Sequence, residues 1–269
     1  MEHNTFQRFR DIIYQESGIS LGDEKASLVM NRISKRLCAL GIPTEKQYLE
    51  VIESNLDGEE LMELIDCIST NVTYFYREQQ HFVFFDSLLK EWKLQHKKSA
   101  RIWCAASSSG EEPYSIAMCV AEVFGLGRMD CKILATDICT RVLKKAVRGR
   151  FDPKQLRDLP QAWCTKYFSS VDDVNDVDAL QIDPQLQKLV TFRKLNLSRV
   201  PYPLKGPLDV IFCRNVMIYF DLSLRKQLIK EFSRLLAPNG YLIVGHSENL
   251  LGIEHNLKSV QSGVYRKPL

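Results

Sequence analysis

The 269-residue sequence has eight cysteines, yet no pair at C-x-x-C spacing and no Cys/His arrangement with metal-ligand spacing. Several cysteines lie inside apolar runs, as small core residues do. A disulfide framework is therefore set aside and a reducing compartment expected. No apolar stretch approaches the roughly 20 residues of a membrane span, and the opening residues MEHNTFQRFRDII lack the apolar core of a signal peptide. A cytoplasmic location without membrane insertion is the default. A surplus of one charge is missing too: 36 Lys and Arg against 33 Asp and Glu leave +3, too little to mark a general nucleic-acid binder. There are no internal repeats and no low-complexity tracts. What remains is 45% hydrophobic and 26% charged, the composition of a folded chain with material for one large core or two smaller ones.

Residues 1 to about 95 read as helical. Phe6, Phe9, Ile12 and Ile13 recur at helical spacing, as do Val29, Ile33 and Leu37. GIPT (41–44) stops one helix and offers Thr44 as a cap for the next. Between 45 and 66 eight acids stand against one lysine, with Tyr48, Leu49, Ile52, Leu61 and Leu64 as the apolar face of an acidic helical pair. Near residue 100 the pattern changes. Strand-like runs recur at RIWCAA (101–106), CKILAT (131–136), LVTFRKL (189–195), LDVIFC (208–213) and GYLIVG (240–245), and helical stretches at 113–124, 139–148 and 222–237 separate most of them. Strands alternating with helices predict a doubly wound, mainly parallel α/β sheet. The interval from 150 to 188 is too long for a simple crossover and predicts an inserted subdomain or an ordered loop.

In such a sheet the ligand lies beyond the carboxyl ends of the strands. The first strand run is followed by SSSGEEP (107–113), where a dinucleotide site would need G-x-G-x-x-G so that backbone amides could approach a pyrophosphate. Here there is one glycine, Gly110, and then Glu111 and Glu112. Two carboxylates repel phosphate. They suit a cation, or the hydroxyls and amino group of a nucleoside without a phosphate tail, and S-adenosylmethionine has these features. The plainer reading, acids at the positive end of a helix, weighs equally for this loop alone. Asp137 ends the second run and suits a ribose diol, or an N-cap. Arg214 and Asn215 follow the fourth run; burying them without partners is costly, which argues for a site or for an arginine held by a carboxylate. Upstream, TNVTYFYRE (70–78) sets Asn71, Thr73 and Arg77 among aromatics. Asn71 and Thr73 suit a loop closing over a ligand better than a helix interior.

With these residues assembled, the sequence resembles the chemotaxis-receptor glutamate methyltransferases, the CheR-type enzymes that use S-adenosylmethionine. The matching stretches are TNVTYFYREQQHF, CAASSSGEEPYSIAM, ATDICTRVLKKA, LDVIFCRNVMIYFD and GHSENL, in family order from about residue 18 to the end. The resemblance implies a class I methyltransferase-like sheet preceded by an all-helical N-terminal domain, with a small inserted subdomain. The divisions expected are 1–85 for the helical domain and linker, 86–269 for the catalytic domain, and about 152–190 for the insert. It implies cofactor contacts from Asn71, Thr73, Arg77, Glu112, Asp137, Asn196, Leu197, Arg214 and Asn215, favouring Glu112 over Glu111, and places Arg77 and Tyr219 nearest the transferred methyl. The product would be S-adenosylhomocysteine, and the partner the cytoplasmic helical domain of a chemotaxis receptor. Some relatives carry a glycine-bearing hairpin in the insert that grips a tether at the receptor tail. Residues 165–190 have no glycine and have acids at 172, 173, 176, 178 and 183, which argues against that grip.

A glutamate acceptor is ionised at neutral pH, its reference pKa being about 4.3, so no general base is needed and none of the five histidines has to be catalytic. His246 in GHSEN reads as structural. Arg77 suits a clamp on the acceptor carboxylate. Arg32, Lys35 and Arg36, at i, i+3 and i+4 with no acid between 25 and 44, form a local basic stripe. The stripe reads as a solvated face or as a dock for a glutamate-rich receptor helix; no stacking aromatics accompany it, so nucleic acid is not the expected partner. A non-catalytic adaptor that binds the cofactor is the alternative function, with room for a regulatory protein partner. A monomer is the default, and no metal is expected.

Overall fold

The computed structural model of the chain describes residues 3–23, 26–56, 58–69, 73–171 and 179–269. Four helices come first: α1 (His3–Ser17), α2 (Ala26–Leu40), α3 (Glu45–Ser54) and α4 (Glu59–Ile68). None is long enough to be stable alone. They hold by burying Phe9, Ile13, Ile33, Tyr48, Ile52, Leu61 and Leu64 in one shared core. Thr44 caps α3 as expected, its hydroxyl accepting from the Gln47 amide at 3.3 Å.

The basic stripe on α2 is turned largely inward, which corrects the expectation of a three-cation docking face. Arg32 donates to the carbonyls of Cys67 at 2.8 Å and Ile68 at 2.5 Å, the C-terminal end of α4, where orphan carbonyls and the helix dipole favour a cation. Arg36 donates to both carboxylate oxygens of Glu60 and lies 3.6 Å from Glu63. Both arginines brace α2 against α4. Lys35 alone of the three is exposed.

Helix α5 (Gln79–Leu94) already belongs to the next core. Its Phe82, Phe85, Leu88, Leu89 and Trp92 pack with Phe75 against the sheet, so the expected division at residue 85 falls inside a helix. The sheet runs in the order β6 (Val190–Lys194), β2 (Asp130–Asp137), β1 (Ser99–Cys104), β7 (Leu208–Cys213), β8 (Leu236–Val244), β10 (Val264–Arg266), β9 (Lys258–Gln261). The first five strands are parallel and the last two close the edge as an antiparallel hairpin. All five expected strand runs are present. The two-residue period assigns the faces: Ile102, Cys104, Val210 and Phe212 meet α5 and α6 (Glu111–Phe124), whereas Trp103, Ile211, Cys213, Leu242 and Val244 meet α10 (Leu222–Leu235). Helix α7 (Thr140–Arg148) follows β2. The inserted interval holds a second sheet, β3 (Arg150–Phe151), β5 (Leu180–Ile182) and β4 (Phe168–Ser170) in that order, with helices α8 (Gln161–Tyr167) and α9 (Pro184–Gln187). The acids at 172, 173, 176 and 178 lie outside the described residues.

The helical domain is fastened to the carboxyl end of the large sheet. Gly18, with φ +73°, lets the turn after α1 lie against Ser198 and Leu224; a Cβ there would sit 2.5 Å from Leu224 Cδ2. Ile19 bridges Phe220, the Ser20 amide donates to the Tyr219 carbonyl at 2.7 Å, and Asp66 of α4 faces Arg141 of α7 at 3.5 Å. No helix among the described residues is long and apolar enough to cross a membrane.

Trp103 is fully buried, and its indole N–H donates to the Thr136 hydroxyl at 2.9 Å. Replacing it with alanine empties the α10 side of the sheet and should lower unfolding stability by about 3–5 kcal/mol, read as a lower urea midpoint at unchanged slope.

Candidate active site

The strand order reverses between β1 and β7, and their carboxyl-end loops part there to open a crevice. The cavity in it holds about 950 Å³ of empty space, part of it open to solvent. Thr73, Arg77, Glu112, Asp137, Asn196, Leu197, Arg214, Asn215 and Tyr219 all line it. Asn71 lies outside the described residues. The helical domain supplies one wall through Ser17, Ile19 and Ser69.

Local backbone sets each side chain. In the loop after β1, Ser108 takes φ 46° and Gly110 φ 103°. This directs the two acids of α6 oppositely. Glu111 is fully buried beneath the loop, accepting from the Ser109 hydroxyl and from Gln155 of the insert; burial pushes its carboxyl up. Glu112 faces the cavity. The sequence alone left that choice open. Asp137, at the end of β2, accepts from the Ser108 amide at 2.8 Å and the Cys139 amide at 3.0 Å. These bonds lock the carboxylate and leave its remaining lone pairs for a ligand. Burial raises its pKa, against the pull of the two amides. Asp137 is thus not the N-cap of α7; Cys139 is.

Arg214 is the centre of the site. It is 6% exposed. Its guanidinium donates to Glu112 at 2.6 Å, to Glu78 at 3.1 Å and to the Arg77 carbonyl, and lies 5.5 Å above the Phe82 ring. Both readings of this arginine hold together: it lines the cavity and it is held by carboxylates. Glu78 also accepts from the Asn215 side chain at 3.0 Å and the His246 amide at 3.2 Å. Burial raises the Glu78 pKa, but these donors outweigh it and hold the carboxyl below its usual range. Glu248, 4% exposed, accepts from the amides of Gly245, Asn215, Val216 and Met217 at 2.7–3.0 Å and so joins the loops after β7 and β8.

Glu78 and Glu248 were not singled out in the sequence, although both sit in stretches that carry the family likeness. The signal available for Glu78 was the arginine at a buried strand end, which requires a carboxylate somewhere. Asn196 lines the cavity with its polar side-chain atoms engaged elsewhere: Nδ2 donates to the Glu16 carbonyl and Oδ1 accepts from Ser198. Its side chain ties α1 to the loop after β6, which leaves the backbone of Asn196 and Leu197 to meet a ligand.

This crevice has carboxylates at two neighbouring strand ends, apolar walls from Ile138, Leu197 and Val216, and no glycine-rich phosphate loop. Its chemistry is that of a nucleoside site for a ligand bearing positive charge, in a doubly wound nucleotide-binding domain. Residues 71–266 match the family described as CheR methyltransferase, SAM binding domain, and residues 4–69 that described as CheR methyltransferase, all-alpha domain. A chemotaxis protein methyltransferase of Escherichia coli is 38% identical over 97% of this chain and 89% of its own. One of Borreliella burgdorferi is 39% identical over 97% and 93%, and chemotaxis protein methyltransferase 2 of Pseudomonas aeruginosa 37% identical over 97% and 91%. The chain belongs to the CheR methyltransferase family, and its cofactor is S-adenosylmethionine.

Arg214→Met should leave Glu78 and Glu112 facing each other without a counter-charge. A loss of about 3–5 kcal/mol in unfolding stability is expected, as for a broken buried ion pair, and Arg214→Met combined with Glu112→Gln should recover part of it. Equal denaturation midpoints for Arg214→Met and the unmodified protein would show that the guanidinium holds nothing.

Proposed function

We propose that this chain transfers the methyl of S-adenosylmethionine to glutamate side chains on the helical cytoplasmic domain of chemotaxis receptors, giving a methyl ester. The names of the relatives support the chemotaxis setting. The observation that carries the acceptor is the composition of the cavity: Arg77 and Tyr219 both line it, and no histidine does among the described lining residues. A hydroxyl acceptor would also have to give up a proton during the transfer. A carboxylate requires only a cation to position it.

Asp137 is assigned to the ribose hydroxyls and Glu112 to the positive end of the methionyl part, with Thr73, Asn215 and the Asn196–Leu197 backbone completing the cradle. When bound, the cofactor supplies an electrophilic methyl on a sulfonium. The protein's own contribution is positional. Arg77 follows Tyr76 and precedes Glu78, and both neighbours hold φ near 60°. This conformation is costly for non-glycine residues and persists only where surroundings impose it. Arg214 on the Arg77 carbonyl and the donors on Glu78 impose it here. The arginine that orients the acceptor is thereby fixed to the residues that line the cofactor cradle. Charge is lost as carboxylate meets sulfonium, so a pocket walled by Ile19, Ile138 and Phe220 favours the step by excluding water. Tyr219 closes that wall next to the acceptor.

With Arg32 and Arg36 engaged inside the helical domain, the receptor-facing cations are assigned to the other rim. Tyr74 lies 6.0 Å from the Arg77 guanidinium and 5.4 Å from that of Arg157 in the insert, so one ring carries two cations beside the cavity. Lys35 adds a third on the helical domain.

Incubation with methyl-labelled cofactor should place a base-labile label on receptor fragments; label on RNA or a small molecule alone would refute the acceptor, and cofactor binding without any turnover would favour an adaptor. Arg77→Ala should lower turnover at saturating cofactor by about 10–100-fold, the worth of a charge-assisted hydrogen bond, and change S-adenosylhomocysteine affinity far less. Equal losses in both would reduce Arg77 to a cofactor ligand. Asp137→Asn should show the reverse pattern, weakening S-adenosylhomocysteine by about 10–100-fold in calorimetry.

A further inference from the structure

His81 has no explanation in the chemistry above. It sits in the first turns of α5 with no exposed surface. Neither ring nitrogen makes a well-aligned hydrogen bond among the described residues, although the ring lies beside the Ser262 backbone. A buried polar group left in this way is uncommon and calls for a ligand or water. Nε2 is walled off by the turn between β9 and β10, where a Cβ on Gly263 would stand only 2.7 Å from it. Nδ1 points the other way, 3.4 Å from Glu78 Oε2. His246, exposed on the loop after β8, brings its ring to 4.6 Å from that of His81. One ligand atom from each of Glu78, His81 and His246 lies within 4.8 Å of the others.

We propose that Glu78, His81 and His246 form a site for a divalent transition-metal ion of the Zn²⁺ class, and that its occupancy weakens the cofactor cradle by drawing Glu78 away from Arg214 and Asn215. Two imidazoles and a carboxylate are a donor set that suits this ion, which with three protein ligands keeps a fourth position for water. Two ligand atoms on one edge of a tetrahedral ion with bonds of about 2.0–2.1 Å stand about 3.4 Å apart, and Glu78 Oε2 and His81 Nδ1 have that separation. His246, exposed at the surface and with its ligand nitrogen within 4.8 Å of the other two donor atoms, supplies the third ligand. Each imidazole would bind through a ring-nitrogen lone pair. The cluster also has a charge surplus to offer: Glu78 and Glu112 both flank the single guanidinium of Arg214. Glu78 Oε2 already accepts from Arg214 and from the His246 amide. A metal on that oxygen competes with both, and Arg214 and Asn215 line the cofactor cavity. Metal and cofactor are therefore coupled negatively.

The test uses the full chain and Zn²⁺ alone, and requires neither receptor nor turnover, so it stands apart from the acceptor assignment. Calorimetry should find one Zn²⁺ site. His246→Ala should weaken it by about 10–100-fold or more, since the loss of even an outer-shell partner costs that much; the His246 amide that holds Glu78 survives the substitution. Saturating Zn²⁺ should weaken S-adenosylhomocysteine by about fivefold or more, the lower end of ordinary site-to-site coupling, and have no such effect in His246→Ala. Unchanged Zn²⁺ affinity in His246→Ala, or a thiolate charge-transfer band in the Co²⁺-loaded protein, would overturn the site by assigning the metal to a cysteine. Tight His246-dependent binding with unaltered S-adenosylhomocysteine affinity would overturn the coupling.

Discussion

A guanidinium with almost no solvent access organises this molecule. Taking Arg214 out of water is expensive, and only well-placed carboxylates and hydrogen bonds offset that cost. The partners come from two separate parts of the chain: Glu112 from the first turn of α6, and the Arg77 carbonyl with the Glu78 carboxylate from the segment that enters α5. The charge at the end of β7 thus fixes where two other segments must lie. A helix start and a strained turn are set against the strand reversal of the sheet, which is where the fold opens a crevice. Stability and site geometry rest on the same contacts, and the site cannot be loosened without exposing an unpaired buried charge.

That economy couples the two substrates. Glu112 meets the cavity while holding Arg214; Arg214 holds the backbone of Arg77; Arg77 meets the cavity from the other side. In the proposed reaction a ligand that adds positive charge beside Glu112 alters the field on Arg214 and, through it, the group that orients the acceptor. The coupling needs no domain movement. It needs only that carboxylates outnumber the guanidinium they surround, so that a cationic ligand is favoured and a phosphorylated one is repelled.

The fold was legible where periodicity is long. Trp103, Ile211 and Leu242 alternate with Ile102, Val210 and Ile243 over runs long enough to read, and the structure shows all five as parallel strands. Strands of two to four residues carry no period. The insert's three strands and the β9–β10 hairpin were therefore illegible, although the Ser262–Gly263 turn marked the hairpin. At the site, the residues at strand ends were readable because the sheet dictates where ligands lie. Residues acting through others were not. Glu78 and Glu248 bind backbone amides and a guanidinium from loops more than 30 positions away, and no local pattern records such a pairing. The α2 stripe misled for the same reason: i, i+3, i+4 spacing puts Arg32 and Arg36 on one face but does not say that α4 covers it.

The helical domain gains its meaning from that cover. A doubly wound sheet alone leaves its crevice open on the carboxyl side, where water would reach the sulfonium of the cofactor. Here the turn at Gly18, the end of α4 at Ser69 and the segment through Thr73 form the missing wall. Attachment at this wall combines short-range fits with apolar packing: the turn at Gly18, the Ile19–Phe220 bridge, Asn196 bonded to the last turn of α1, and Ile138 and Tyr219 set against the helical core. Four of these residues, Ile138, Asn196, Tyr219 and Phe220, lie within the cavity lining itself. Water exclusion and domain attachment are therefore one property, set by the same side chains.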